Sequence, residues 1–145
     1  MIALLQRVAE ARVSVAGRTC GEIGPGLLAL IGIRPSDDER HAARLLERLL
    51  EYRVFPDEGG RMNRSLRDTA GALLLVPQFT LAADTRSGNR PGFSTAAPPE
   101  QARALFATLL QQARAAHAPV ASGEFGAHMQ VMLLNDGPVT FWLES

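Results

Sequence analysis

Two apolar runs, LLALIGI at 27–33 and GALLLV at 71–76, restrict what this 145-residue chain can fold into more than any other feature. Each is strand-sized and unbroken by a polar side chain, which is the pattern of a buried strand. The segment GPG at 24–26 breaks the chain just before the first run. Neither run is long enough to cross a bilayer, and no other apolar stretch is. A chain of this length fits one domain with a substantial core. With 46% apolar and 21% charged residues it lies far from disordered compositions.

Residues 2–8 and 11–15 read as strands, and Ala16-Gly17 turns the chain into a third at about 18–23. After LLALIGI, Ser36-Asp37-Asp38-Glu39 has the Ser-x-x-Glu spacing of a capping box. Ala42, Leu45, Leu46, Leu49 and Leu50 follow at helical spacing, so a helix is expected to end near Tyr52. GALLLV runs into PQFTL, and the polar, Gly- and Pro-rich segment 82–97 is long enough to be functional. Pro98-Pro99-Glu100 opens a second helix carrying Leu105, Phe106, Leu109 and Leu110 on one face. Strands at about 119–124, 128–134 and 139–143 close the chain. The expected fold is a single α/β domain over residues 1–145. Its curled, barrel-like, mixed or antiparallel sheet is covered by two main helices.

The residue inventory excludes several chemistries. All fifteen basic residues are arginine, which removes lysine-based catalysis. The formal net charge is zero, which argues against coating nucleic acid non-specifically. The single cysteine, Cys20, excludes an internal disulfide and a multi-cysteine zinc site, and the cytoplasm is the economical location. The segment MIALLQRVAEARVSV lacks the marks of a signal peptide. His41, His117 and His128 share no motif and read as structural, as does Cys20; no P-loop, GxGxxG or GxSxG occurs. No metal and no cofactor is expected.

Two polar interruptions remain, PQFTL at 77–81 and NDGPVT at 135–140. The first is compatible with an ordinary two-faced strand. It is also compatible with a segment whose backbone N–H groups stabilise a developing oxyanion. Thr80 is a nucleophile only if some base activates it, and none is evident. The second reads as a hairpin turn, but Pro138 has no N–H for the ladder and accepts a cis bond.

In combination with MIALLQRV, GEIGPGLLALIGI, RMN, RPGFS and MQV, the segments QFTLAADT and NDGPVTFWL resemble the bacterial D-aminoacyl-tRNA deacylases over nearly the whole chain. The resemblance implies hydrolysis of the ester joining a D-amino acid to the terminal ribose of tRNA. Gly-tRNA, such as mischarged Gly-tRNA(Ala), is also accepted and L-aminoacyl-tRNA is refused. It further implies a homodimer in which a Gly-cisPro pair, Gly137 and Pro138 here, reaches the other subunit's site. The catalytic segment becomes Gln78, Phe79 and Thr80, with Arg7, Asn135 and Thr140 supporting the Gly-Pro loop. One departure is Pro77, where the family usually has serine. Proline there suits chemistry resting on the backbone donors of Phe79 and Thr80 rather than on a hydroxyl.

An aminoacyl ester is already activated, so positioning and charge stabilisation suffice, with the ribose 2′-hydroxyl and water at hand. A rigid backbone element that leaves no room for an L side chain explains refusal of L-forms, and it cannot refuse glycine. Arg61, Arg64 and Arg67 in one loop, and Arg86 and Arg90 in another, are candidates to hold RNA phosphates. Ordinary solvated or paired loop charges are the competing reading. A general D-amino-acid ester hydrolase and a non-catalytic RNA-binding module are the alternatives for the whole chain. Against the latter stand the neutral charge and the absence of an aromatic stacking pattern.

Overall fold

Strand β1 (Ile2–Val15) is the spine of the sheet and merges the two N-terminal strands expected from the sequence. A computed structural model describes residues 1–145. Strand β8 (Gln130–Glu144) likewise merges the last two expected strands. It runs antiparallel to β1 from Ile2↔Glu144 to Ser14↔Gln130. The other edge of β1 is shared between β3 (Gly26–Gly32), opposite residues 2–8, and β2 (Arg18–Ile23), opposite residues 11–15. Strand β6 (Ala72–Pro77) adds to β3 in parallel, and β7 (Val120–Ser122) adds to β6 in parallel. LLALIGI and GALLLV therefore pair side by side, which is why neither carries a polar position.

The sheet curls until β2 and β7 nearly meet. A Cβ on Gly21 would lie 2.5 Å from the carbonyl oxygen of Ser122, so only glycine permits that approach. Helices α1 (Glu39–Glu51) and α3 (Pro99–Ala116) are the two main helices expected. A short α2 (Leu66–Thr69) and a small hairpin of β4 (Phe55–Pro56) and β5 (Met62–Arg64) were not anticipated. The result is the expected α/β fold with a nearly closed mixed sheet.

Two cores follow from the curl. Leu45, Leu49, Leu105, Phe106 and Leu109 from the helices pack on Ala3, Leu5, Leu27, Ala29, Leu73 and Leu75 of the outer sheet face. Inside the curl lie Val8, Ala11, Val13, Ile23, Leu28, Leu74 and Val76. Strand alternation alone would put Val8 and Ala11 on opposite faces. A bulge between Val8 and Glu10 of β1 reverses the parity, so both point inward.

The start of α1 differs from the sequence reading. Asp38, not Ser36, is the N-cap: its carboxylate accepts the N–H of Arg40 (2.9 Å) and of His41 (3.1 Å). His41 Nδ1 accepts the Asp38 N–H in return at 3.2 Å. The backbone hydrogen bond from His41 is the main cause that holds the Asp38 carboxyl down at about 2. Asp37 is instead buried and accepts from the Met1 amino group and the Arg34 N–H, each at 2.7 Å. Ser36 lies inside a turn closed by the Asp37 N–H on Arg34 O at 3.1 Å, so the helix begins beyond it.

Gly26 faces Ala72 across the parallel β3–β6 junction, where a Cβ would sit 1.9 Å from the Ala72 carbonyl oxygen. Gly26→Ala is expected to cost about 3 kcal/mol, seen as a lower urea midpoint. Gly24→Ala, with nothing within 4 Å of its Cβ, is expected to leave the midpoint unchanged.

Candidate active site

Strand β6 is buried through Val76, and its end determines the shape of the first polar segment. Leu75 O accepts from Gly123 on the β7 side, whereas Gln78 donates to Ile31 O on the β3 side at 2.7 Å. Alternation places the missing N–H of Pro77 on the β7 side, beyond Ser122, where β7 has already ended. Proline therefore removes no ladder bond. PQFTL is not a strand: Phe79–Ala82 forms a 3-10 turn, with Gln78 as its N-cap and bonds from Leu81 to Gln78 O (3.3 Å) and Ala83 to Thr80 O (3.1 Å).

That i→i−3 pattern leaves the N–H groups of Phe79 and Thr80 without an acceptor inside the turn. The Thr80 hydroxyl accepts the Gln78 side-chain amide at 2.5 Å and has no imidazole or carboxylate partner. Beside the turn lies a cavity of about 460 Å³, with Pro77, Gln78 and Phe79 on one wall and Phe125 and Met129 among its apolar lining. Phe125 is held by the Arg103 guanidinium 4.7 Å over its ring and by Phe106 at 6.3 Å. His128, read from the sequence as structural, also lines this cavity, and its ring makes no hydrogen bond. Its position could not have been found from sequence, because it depends on β7 pairing with β6, which sets the β7–β8 connection beside the turn.

The long segment after the turn folds back on it. Phe93 lies with its ring centroid 5.0 Å from that of Phe79, and Thr95 donates to Ala82 O at 2.5 Å. A bridge with both backbone bonds closes Asp84 onto Gly92. Inside this lobe Arg86 binds the Asp84 carboxylate at 2.9 and 2.7 Å, which holds that carboxyl well below the ordinary range. Arg90 is exposed and has no partner. In the other arginine loop Arg64 donates to Asp68 O at 2.7 Å and Arg67 pairs with Glu51 at 3.0 Å, while the Arg61 guanidinium is unpaired.

NDGPVT is not a hairpin turn either. β1 and β8 pair on both sides of it, at Val8↔Asn135 and Gln6↔Thr140, so β8 extrudes Asp136 to Val139 as a bulge opposite Arg7. Arg7 Nε donates to Asp136 O at 2.9 Å, and its Nη1 donates to Val54 O at 2.6 Å. Asn135 closes the base: its Oδ1 accepts the Val139 N–H at 2.9 Å and its Nδ2 donates to Thr140 Oγ1 at 2.9 Å. Gly137 and Pro138 are exposed at the tip, joined by a cis peptide bond, and Gly137 has φ +145. A Cβ on Gly137 would meet the Val139 N at 2.9 Å.

The turn and the bulge are far apart within one chain. The ladder runs Pro77↔Ile31↔Ala3↔Leu143, and the bulge lies across β8 opposite Arg7, four residues further along β1. Three strand spacings across and four residues along amount to on the order of 20 Å.

The family model described as D-Tyr-tRNA(Tyr) deacylase matches residues 4–144. The chain belongs to the D-aminoacyl-tRNA deacylase family. It is 67% identical over 144 residues to a D-aminoacyl-tRNA deacylase of Thioalkalivibrio sulfidiphilus, covering 99% of this chain and 97% of that one. It is 65% identical to one of Azotobacter vinelandii, covering all of both chains. Among solved structures, one titled c-Myc DNA Unwinding Element Binding Protein is 40% identical with a TM-score of 0.95. It covers 100% of this chain and 99% of that one. A probable eukaryotic D-amino acid tRNA deacylase, at 17% identity and a TM-score of 0.87 over 99% of this chain and 98% of its own, shares the fold.

Because Asn135 alone receives the Val139 N–H, Asn135→Ala is expected to speed exchange of that amide by roughly tenfold or more in hydrogen-exchange measurements. The amides of β6 should be unaffected.

Proposed function

We propose that this deacylase hydrolyses the ester between a D-amino acid and the 3′-terminal ribose of tRNA, accepts Gly-tRNA, and refuses L-aminoacyl-tRNA. Family membership supports the deacylase activity. The observation that carries the mechanism is the 3-10 turn at Phe79–Ala82, with two N–H groups unused inside it and a threonine hydroxyl that has no base. The ester carbonyl oxygen sits against the Phe79 and Thr80 N–H groups, which stabilise the oxyanion formed when water adds to the acyl carbon. The acyl C–O bond to the ribose then breaks. The departing ribose oxygen takes up the proton that the water loses, with the adjacent 2′-hydroxyl as relay. No lysine, cysteine or histidine side chain is needed for these steps. The cavity lined by Phe79, Phe125 and Met129 has the volume and apolar walls for the terminal nucleoside.

Chirality is read by Gly137 and Pro138, and their distance from the turn supports their serving a second copy of the chain. A homodimer is supported by β8 itself. Its outer edge is unpaired over 15 residues, and Met132 and Leu134 on it are 58% and 57% exposed. In the dimer the bulge of one protomer, fixed by Arg7, Asn135 and Thr140, faces the turn of the other. Backbone there grips the α-amino group and occupies the space that an L side chain would need. Glycine has no side chain to exclude. A tRNA substrate supports a cytoplasmic location.

Incubation with D-Tyr-tRNA, L-Tyr-tRNA, Gly-tRNA and D-Tyr ethyl ester is expected to consume the first and third. Consumption of the ethyl ester at a comparable rate would favour a general ester hydrolase, and binding without any turnover a non-catalytic RNA-binding module. Thr80→Ala and Pro77→Ser are expected to stay within a few-fold of the native rate, whereas Gly137→Ala should lose roughly 100-fold. Loss of several orders of magnitude in Thr80→Ala would establish a threonine nucleophile instead.

A further inference from the structure

Arg61 and Arg90, the two of the five candidate arginines left unpaired, stand on supports that differ in kind. Arg90 belongs to the lobe closed by Asp84 and Gly92, and that lobe is pinned to the 3-10 turn of its own chain through Phe93 on Phe79 and Thr95 on Ala82. Arg61 belongs to the β4–β5 hairpin. Asp57 shapes this hairpin by accepting the N–H groups of Gly59 and Arg61, each at 2.9 Å, and the Asn63 amide at 2.7 Å. Those bonds hold the Asp57 carboxyl below its ordinary range, the Asn63 bond foremost, and occupy it; Glu58 is the remaining acid of the hairpin.

The root of this hairpin is tied to the Gly-Pro bulge. Val54, directly before β4, gives its carbonyl to the same Arg7 guanidinium that holds Asp136 O. Tyr52 packs edge-on against Phe141, just past the bulge, with ring centroids 5.5 Å apart. Hairpin and bulge are therefore one unit, and the lobe and the 3-10 turn are another. The ladder keeps their anchors, the bulge and the turn, on the order of 20 Å apart within a chain.

We infer that Arg61 of one protomer and Arg90 of the other grip the phosphates of the same tRNA acceptor end, so that each RNA site is divided between subunits along the same line as the catalytic site. This rests on the shared-site reading proposed above. Arg64 and Arg86 take no comparable part, since each is already bound within its own loop. Two cations approaching from opposite sides would clamp a strand whose ester enters between them, which a single basic face cannot do.

Heterodimers of differently tagged chains test the division. Chain one carries Gly137→Ala together with Arg61→Glu; chain two carries Phe79→Pro, which removes the N–H at a position where proline fits the first helical residue. Their dimer has one site built from the turn of chain one and the Gly137 and Arg61 of chain two, all native. It is expected to show about half the native kcat per dimer with a native KM for D-Tyr-tRNA. In a second heterodimer Arg90→Glu replaces Arg61→Glu in chain one, and the working site then keeps the altered arginine. Its KM is expected to rise about tenfold, with a shallower dependence on salt.

The reverse pattern, with the first pair impaired and the second native, would overturn the division, as would a native KM in both. A control pair carrying only Gly137→Ala and Phe79→Pro separates the two levels of the argument: if it is inactive, the shared site itself fails. Should Phe79→Pro not assemble, Thr80→Pro supplies the second lesion.

Discussion

The bulge that sets β8 apart from an ordinary ladder strand turns on the Arg7 guanidinium. It extends from β1 opposite four residues that β8 cannot pair. One of its N–H groups takes Asp136 O and another takes Val54 O. Its side chain is only 12% exposed, so those carbonyls do not compete with bulk water for the cation. Charged hydrogen bonds of this kind contribute roughly 1.5–3 kcal/mol each. The nearby Asp136 carboxylate, at 3.4 Å and 61% exposed, adds little by comparison. A lysine has no planar fork with which to hold two carbonyls in fixed directions.

From that anchor the division of the molecule follows. β1 and β8 present the bulge and the adjoining hairpin; β6 and the segment after it present the 3-10 turn and its lobe. The helices pack on Leu73 and Leu75 of β6 from the outer face, while Ala72, Leu74 and Val76 are buried inside the curl. The chemistry that the proposed mechanism asks of the turn is modest, because an aminoacyl ester needs a placed oxyanion more than a strong nucleophile. Selectivity is the demanding task. In the function proposed above it falls to backbone that Arg7, Asn135 and Thr140 hold, rather than to a pocket that would choose by size.

The buried strands and both main helices were legible because burial writes itself into residue type: LLALIGI, GALLLV and the leucine spacing of α1 have no other economical reading. The polar segments were less so. Alternation in PQFTL mimics a strand, and only the end of β7 and the onset of i→i−3 bonding reveal a turn. NDGPVT looks like a hairpin because Asp-Gly usually makes one. That β1 is long enough to pair on both sides of it is a property of the whole sheet, not of six residues. The Ser36–Glu39 box gives way to Asp38 and His41 because Ser36 lies in the turn from Arg34 to Asp37, which the Met1 amino group ties down through Asp37, a contact no local pattern encodes. Five loop arginines were equivalent on paper. The fold pairs three of them and leaves Arg61 and Arg90 free on separate supports.

The central claim is that the bulge of one protomer meets the turn of another. Disulfide trapping addresses it directly, in a background where Cys20→Ala removes the native thiol. Asp136→Cys combined with Phe79→Cys in one chain is expected to give a covalent dimer on oxidation, because the two Cα atoms are too distant within a chain for a bond that needs them within about 7 Å. A chain that stays monomeric under non-reducing denaturation, whether through an internal disulfide or none, would contradict the account.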